Sequence, residues 1–190
     1  MNIEDLYSLY SKNYLVDTDT RTIRPNSIFF SLKGDNFNGN AFAKKAIELG
    51  ASYCVIDEAQ YEIKGVTILV NNVLETLQSL ATYHRQKLGI PIIGITGSNG
   101  KTTTKELILA VLKTQFNATA TRGNLNNHIG VPLTILSFTN ETEIGIVEMG
   151  ANHQKEIEFL TTICEPDLGY ITNFGKAHLE GFGGEEGVIK

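Results

Sequence analysis

The chain has 190 residues, of which 42% are hydrophobic and 19% charged, and its formal net charge is −5. This length holds one large or two small domains, and a negative balance without a basic run argues against a nucleic-acid partner. No apolar stretch reaches the ~20 residues of a membrane span, and the N-terminal MNIEDLYSLY lacks a signal-peptide pattern, so we expect a cytoplasmic protein without membrane insertion.

The first part of the chain alternates between helical and strand patterns, which indicates a small α/β unit ending near Leu88. Helices are expected within residues 1–18, over 41–49 with Gly50 as the cap, and from Asn71 or Asn72 to Leu88. Strands are expected at residues 28–32, 53–56 and 66–70, where apolar residues run together.

The stretch 92–112, IIGITGSNGKTTTKELILAVL, has the layout of a phosphate-binding loop. A strand pattern turns through glycines into a helix, whose first backbone N–H groups can donate to phosphate oxygens. Lys101 can then reach the β- and γ-phosphates, and the Thr102 hydroxyl can ligate Mg²⁺. The loop is shorter than the usual G-x-x-x-x-G-K-[ST], and the alternative is a plain glycine turn with a solvated lysine. The candidate nucleotide-binding residues are Gly97, Ser98, Asn99, Gly100, Lys101, Thr102 and Thr103.

Two further polar features follow in the second part of the chain. The loop at residues 122–128 contains three asparagines, which form either a binding site or ordinary loop filling. The apolar run at residues 144–147 predicts a strand ending in Glu148, where a carboxylate faces the nucleotide crevice and can hold Mg²⁺. The alternative is an ordinary strand-end carboxylate. A helix over residues 153–163 and a buried strand at 168–172 are expected next.

The histidines and cysteines carry less information. His178 lies in a glycine-rich loop past the last expected strand, where a lone histidine is either functional or merely structural. His84 lies within a helical pattern, and we interpret it as a surface residue. Cys54 and Cys164 stand beside apolar residues, which predicts two buried free thiols rather than a disulfide.

Four stretches of the chain, in this order, resemble the central domain of the Mur ligase family: TGSNGKTTTKELI, TRGNLNNHIGVPLT, VEMGANHQKEI and ITNFGKAHLEGFG. The shortened G-x-x-G-K-T loop is the form that this family uses. The earlier stretch DTRTIRPNSIFFSLKGDNFNGNAF is similar to the family's uridine-nucleotide-binding domain. The resemblance implies an α/β fold in which residues 1–88 form a small α/β domain that binds the UDP-precursor. Residues 89–190 would be the first part of the ATP-binding domain, an incomplete P-loop NTPase-like, mostly parallel sheet with flanking helices.

The resemblance also implies an ATP-dependent amide ligase of peptidoglycan precursor synthesis. The motifs are most similar to the branch that joins UDP-MurNAc-tripeptide to D-alanyl-D-alanine through an acyl phosphate. Because the chemistry brings anions together, positive charge and Mg²⁺ must dominate the site. On this interpretation Lys101, Glu148 and His178 are catalytic, with Thr102 and Glu148 on one Mg²⁺ and His178 on a second.

Substrate-binding residues are also assigned by the resemblance. The polar loop and the N-terminal unit both contribute, and Asn40 stands where the family often has histidine. The assigned residues are Thr20, Arg21, Lys33, Gly34, Asn38, Gly39, Asn40, Thr121, Arg122, Asn124, Asn126 and Asn127.

Two departures from the family pattern bear on activity. The run Gly187-Val188-Ile189-Lys190 resembles the family's G-V-x-K-x-K, whose carbamoylated lysine would lie beyond Lys190. The family's C-terminal domain is also missing, so we expect a monomeric N-terminal fragment of a longer ligase, without turnover of its own. The alternatives are a sister ligase such as MurE, folylpolyglutamate synthase, which lacks a comparable uridine-nucleotide domain, and a non-catalytic nucleotide-binding module.

Overall fold

The structure is a computed structural model that describes residues 1–175, 181, 183, 184 and 187. The chain divides into two compact units, Met1–Tyr83 and His84–Lys190. The boundary between the units falls inside a long helix, and the assignment of residues 1–88 to precursor binding and 89–190 to ATP binding stays a prediction. No helix within the described residues is long and apolar enough to cross a membrane.

The first unit is built on a four-stranded parallel sheet. Its strands are β1 Val16–Asp17, β2 Ile28–Phe30, β3 Lys33–Gly34, β4 Phe37–Asn38, β5 Tyr53–Ile56 and β6 Thr67–Leu69. Its helices are α1 Ile3–Tyr10, α2 Ala43–Glu48 and the beginning of α3 Val73–Leu88. The sheet has the order β1-β2-β5-β6, and β3 and β4 form a separate antiparallel pair. Because the four strands are parallel, the segments that leave β1, β2 and β5 emerge at one edge of the sheet.

The core of the first unit lies between its sheet and α2. Phe29, Cys54 and Ile56 of the strands pack with small residues of the helix, including Ala43. Gly50 follows the end of α2 with a φ of 110°, a conformation that favours glycine and allows the chain to turn back into β5. The apolar runs seen in the sequence thus form the buried strands, and the polar residues lie in the connecting loops.

The second unit contains a second parallel sheet. Its elements after α3 are β7 Ile92–Thr96, α4 Lys101–Leu112, β8 Ala118–Ala120, α5 Gly130–Ile135, β9 Ile144–Glu148, α6 Glu156–Cys164 and β10 Leu168–Ile171. The strand order is β10-β7-β9-β8. Ile95, Ala120 and Ile146 form a buried cluster against which Ile108 and Leu112 of α4 pack. The carboxyl ends of all four strands meet at one edge, which is where open α/β sheets bind ligands.

Several predictions from the sequence are confirmed. The strand at residues 53–56 is present, and Asn72 caps α3 by accepting a hydrogen bond from the Glu75 N–H at 3.1 Å. Both thiols, Cys54 and Cys164, are free and buried. Burial raises the pKa of each thiol to about 12, so neither is a reactive thiolate at neutral pH.

One element prediction was wrong in burial. The strand near residues 168–172 forms but is not buried, since β10 is an edge strand whose Leu168 is 64% exposed. An edge position depends on which strands pair, which local apolar patterns do not encode. The short helix expected within residues 1–18 is confirmed as α1, which ends at Tyr10; the chain then turns at Tyr14, with φ 54°, and Val16 pairs with Ile28 of the sheet.

The interpretation of His84 as a surface residue was also wrong. His84 is fully buried, and its Nε2 lies 3.0 Å from the carbonyl oxygen of Phe138. Burial lowers the pKa of His84 from 6.5 to about 4, although the hydrogen bond to Phe138 opposes the shift. The imidazole is therefore neutral in the folded protein at pH 7.

We expect this buried histidine to make the second unit less stable in mild acid. Between about pH 6.5 and pH 4 the unfolded chain binds a proton at His84 that the folded chain does not, so the free energy of unfolding falls as the pH falls. The expected loss is about 2 kcal/mol between pH 7.5 and pH 5.0, measured by urea unfolding. His84→Gln should remove most of this difference, whereas His153→Gln, at an exposed position, should not. An unchanged pH dependence in His84→Gln would contradict the assignment.

Candidate functional site

The predicted phosphate-binding loop lies at the carboxyl edge of the second sheet, between β7 and α4. Gly100 caps α4 with a φ of 79°, and the first four N–H groups of this helix have no acceptor within the helix. Such amides and the helix dipole attract anions. The Nζ of Lys101 donates to the Gly97 carbonyl at 2.6 Å and lies 3.5 Å from the Ser98 carbonyl oxygen. The loop therefore already holds an ammonium group beside these amides.

The segment after β10 holds this loop in place. The N–H of Ser98 donates to the Asn173 carbonyl at 3.0 Å, and the N–H of Asn99 donates to the Asn173 side-chain oxygen at 3.2 Å. The Thr172 hydroxyl donates to the Asn99 carbonyl at 2.6 Å. Because the amides of Ser98 and Asn99 are used inside the protein, phosphate binding falls to the amides at the start of α4.

Glu148 stands at the end of β9, next to β7, and is only 2% exposed. Thr102 Oγ1 donates to its Oε2 at 3.0 Å, and Asn126 Nδ2 donates to its Oε1 at 2.9 Å. Its backbone N–H donates to Thr121 Oγ1 at 2.9 Å, and Lys105 Nζ lies 4.0 Å from Oε2. The structure thus brings together five residues that the sequence places in three separate motifs.

The oxygen atoms around Glu148 suit Mg²⁺. This hard cation takes carboxylate and hydroxyl oxygens and usually keeps several waters beside substrate phosphates, and the Thr102 hydroxyl and Glu148 carboxylate are in contact. In the part of the chain that the structure describes, no group of three or more His, Cys, Asp or Glu side chains is placed to hold a metal ion. Thr102 and Glu148 therefore offer one hydroxyl and one carboxylate, which suits a cation whose other ligands are phosphate oxygens of the substrate and waters.

The polar loop divides between exposed and structural residues. Arg122 and Asn124 are exposed, so their side chains are accessible to a ligand. Asn127 is also exposed, but its Oδ1 accepts the N–H groups of Ile129 and Gly130 at 3.1 and 2.8 Å. This side chain therefore stabilises the start of α5 in addition to any ligand contact.

The substrate residues predicted in the first unit follow the carboxyl ends of β1 and β2. Thr20 and Arg21 lie in a short 3-10 helix, Thr20–Thr22, and Arg21 binds the Asp19 carboxylate. Hydrogen bonds from Arg21 lower the pKa of Asp19 to about 2. Lys33 and Gly34 form β3, which pairs with Asn38 and its neighbour. These residues share the edge at which an open α/β sheet binds ligands.

An ion-pair cluster surrounds Lys33. Its Nζ lies 2.8 Å from Asp57 Oδ1 and 2.9 Å from Glu58 Oε1, and hydrogen bonds to both carboxylates raise the pKa of Lys33. Burial opposes ionisation of Asp57, but hydrogen bonds from Lys33 and Asn40 outweigh it and lower the pKa of Asp57. The lysine is 42% exposed, so a ligand phosphate can compete with the two carboxylates for it.

Asn40 and Gly39 occupy buried positions behind this cluster. The Asn40 amide is fully buried, donates to Asp57 Oδ1 at 2.8 Å and Asn38 Oδ1 at 3.0 Å, and accepts the Asp57 N–H at 3.0 Å. A side chain at Gly39 would meet the Leu32 carbonyl oxygen at 2.3 Å. Within the described structure these two residues shape the edge of the first sheet from inside.

Two positions named from the sequence lie outside the described residues. They are His178, the predicted ligand of a second Mg²⁺, and Lys190, the last residue of the chain. Three residues that build the sites were missed: Lys105, Asp57 and Asn173. Asp57 directly follows the strand at residues 53–56, and its position at a strand end is a signal that the sequence did contain.

Comparison with known proteins identifies the family. Residues 95–190 match the Mur ligase middle domain, and residues 13–93 match the Mur ligase catalytic domain. The chain belongs to the Mur ligase family. The resemblance inferred from the four motifs is thereby confirmed, as is the α/β fold class with parallel sheets.

Several relatives of this Mur ligase chain are named as the same kind of ligase. The UDP-N-acetylmuramoyl-tripeptide–D-alanyl-D-alanine ligase of Bacillus subtilis (strain 168) is 43% identical over 177 residues, which cover 92% of this chain and 39% of that protein. A crystal structure of MurF from Acinetobacter baumannii matches with a TM-score of 0.83 and 34% identity, covering 92% of this chain and 38% of that one. A MurF ligase from Thermotoga maritima in complex with ADP matches with a TM-score of 0.81 and 32% identity, covering 92% and 41%. The Mur ligase chain therefore spans about two fifths of the length of these relatives.

Proposed function

We propose that this chain is part of an ATP-dependent ligase that joins UDP-MurNAc-tripeptide to D-alanyl-D-alanine in peptidoglycan precursor synthesis. The observation that carries the proposal is the contact of Thr102, in the phosphate-binding loop, with the buried Glu148 at 3.0 Å. That pair stands where a nucleotide and its cation would meet at the sheet edge. The names and the ADP complex of the relatives support the substrates.

In the proposed reaction the terminal carboxylate of the tripeptide attacks the γ-phosphate of ATP, the bond to the β–γ bridging oxygen breaks, and ADP leaves as the acyl phosphate forms. The amine of D-alanyl-D-alanine then attacks the activated carbonyl and phosphate leaves. The N–H groups at the start of α4 and the ammonium of Lys101 bind the phosphates and balance their charge. Residues Gly97–Thr103 thus form the ATP site.

Thr102 and Glu148 hold Mg²⁺ in this proposal, and His178 serves a second ion. When bound, the cation neutralises charge on the phosphoryl group during transfer. Arg122 and Asn124 are exposed side chains for the substrate and the terminal phosphate. Thr121, Asn126 and Asn127 support them, because each makes hydrogen bonds inside the protein.

The uridine-diphosphate group is assigned to the edge of the first sheet. Lys33 supplies positive charge once a diphosphate displaces Asp57 and Glu58, and Arg21 does so once it leaves Asp19. Thr20, Gly34 and Asn38 line the same edge, and Gly39 and Asn40 hold its shape. The proposal includes a cytoplasmic, monomeric chain that binds precursor but lacks turnover of its own.

The test is calorimetric titration of the 190-residue chain with UDP-MurNAc-tripeptide and, for comparison, UDP-MurNAc-dipeptide. Saturable binding that prefers the tripeptide is expected, because the third residue distinguishes the substrate of this ligase from that of MurE. Preference for the dipeptide would favour the sister ligase. Absence of binding by a folded chain would contradict the uridine assignment, and product formation by the purified chain would contradict the absence of turnover.

A further inference from the structure

Lys105 is a buried cation that the proposed reaction does not use. It lies on α4, one helical turn after Lys101, and its side chain is only 1% exposed. Its Nζ donates to the Thr121 carbonyl at 2.7 Å and lies 3.0 Å from Glu106 Oε1. A fully buried lysine is rare unless its charge is paired and hydrogen-bonded, so its position requires an explanation.

Lys105 contacts Thr121, the residue that directly precedes the polar loop at residues 122–128. Residues at both ends of this loop are hydrogen-bonded to Glu148, at the end of β9. At one end Thr121 accepts the Glu148 N–H at 2.9 Å, and at the other Asn126 donates to Glu148 Oε1 at 2.9 Å. The Asn126 carbonyl also accepts the Gly150 N–H at 2.8 Å. Lys105 adds a contact from α4 to the first of these ends.

Two roles for the ammonium can be compared by distance. The contact with the Thr121 carbonyl, at 2.7 Å, is a short charge-assisted hydrogen bond. The distance to Glu148 Oε2 is 4.0 Å, at the outer limit of an ion pair. By distance, the Lys105 ammonium acts first on the loop backbone, pairs next with the exposed Glu106 carboxylate at 3.0 Å, and compensates the buried Glu148 carboxylate last.

We infer that Lys105 is a positioning residue for the polar loop. Its ammonium fixes the backbone at the point where the chain leaves β8. It thereby sets the positions of Arg122 and Asn124 relative to the phosphate-binding loop, which directly precedes α4. In this inference Lys105 supplies no contact to the nucleotide and acts on the loop through the Thr121 carbonyl. The part of this inference that concerns the terminal phosphate of ATP rests on the proposed function.

The test compares Lys105→Met with two control variants of the 190-residue chain. Lys113→Met makes the same change at an exposed position at the end of the same helix. Leu160→Ala removes a buried apolar side chain of α6, 2% exposed, and so destabilises the second unit without removing a hydrogen bond of the loop. Lys105→Arg retains the charge, so it should restore part of the effect.

The first measurement is hydrogen exchange of the peptide covering residues 121–129. In Lys105→Met, exchange of this peptide should rise about tenfold above that in Leu160→Ala at equal global stability, and Lys113→Met should match the unmodified chain. The second measurement is binding of ADP and of a non-hydrolysable ATP analogue with Mg²⁺. The preference for the ATP analogue should fall about tenfold in Lys105→Met, with the dissociation constant of ADP changing less than about threefold.

A merely structural lysine would not change that preference, because lower stability alone affects both nucleotides equally. Loop exchange equal to that of Leu160→Ala, with an unchanged preference, would overturn the inference. If the unmodified chain binds neither nucleotide, the proposed function is what fails, and the exchange rates alone then decide the role of Lys105.

Discussion

Replacing Lys101 by methionine is expected to weaken the binding of Mg²⁺ with ADP or a non-hydrolysable ATP analogue by about 100-fold. The ammonium is held by the Gly97 carbonyl at 2.6 Å, directly at the start of α4. A hydrogen bond to a charged group contributes about 1.5–3 kcal/mol, and ~1.4 kcal/mol corresponds to a tenfold change in affinity. Isothermal titration calorimetry of the folded chain measures the effect.

Stability should change little in Lys101→Met, because this side chain is only half-buried and its acceptors are carbonyls of the half-buried loop residues Gly97 and Ser98. Lys113→Met provides the matched control at the exposed end of the same helix, and we expect it to bind nucleotide like the unmodified chain. Equal affinities for Lys101→Met and Lys113→Met would show that the glycine turn carries a solvated lysine. That was the alternative to a phosphate-binding loop.

The phosphate-binding loop could be predicted because its signals are local. The apolar run of β7, the glycines and the helical pattern of α4 stand next to each other in the sequence, and the structure places Gly100 as the cap with φ 79°. Glu148 was found for a similar reason, since a carboxylate at the end of a strand pattern must lie at the carboxyl edge of a parallel sheet. Their contact, through the Thr102 hydroxyl, follows once β7 and β9 are neighbours.

Other parts of the site depend on which strands are neighbours, and no local pattern carries that information. Asn173 contacts the phosphate-binding loop only because β10 pairs with β7. The local sequence pattern predicts that Lys105 is an exposed polar residue. Packing of α4 against β8 nevertheless buries it and provides a carbonyl acceptor for its ammonium group. His84 is buried because Phe138, far along the chain, supplies its partner. Burial of a polar residue was therefore the least predictable property.

The contact between β10 and the phosphate-binding loop also predicts that Gly97→Ala is severely destabilising. Gly97 has a φ of 130°, and a Cβ there would lie 2.1 Å from Thr172 Oγ1 and 2.9 Å from the Thr172 backbone nitrogen. The hydroxyl has little room to retreat, since it donates to the Asn99 carbonyl at 2.6 Å. Left-handed strain costs about 1–2 kcal/mol and overpacking about 1–3 kcal/mol, so we expect a loss of about 3 kcal/mol in urea unfolding.

Gly100→Ala is the matched control, because Gly100 also has a positive φ, 79°, but nothing lies within 4 Å of its Cβ position. It should cost only the backbone strain of about 1–2 kcal/mol. Thr172→Ala removes the closest atom, so the double variant Gly97→Ala/Thr172→Ala should recover part of the loss, and the double-mutant cycle measures the coupling. Equal costs at Gly97 and Gly100 without coupling would contradict the close approach of β10 to the loop. A large cost confined to Gly97 would mean that the loop keeps its shape only while the segment after β10 is in place.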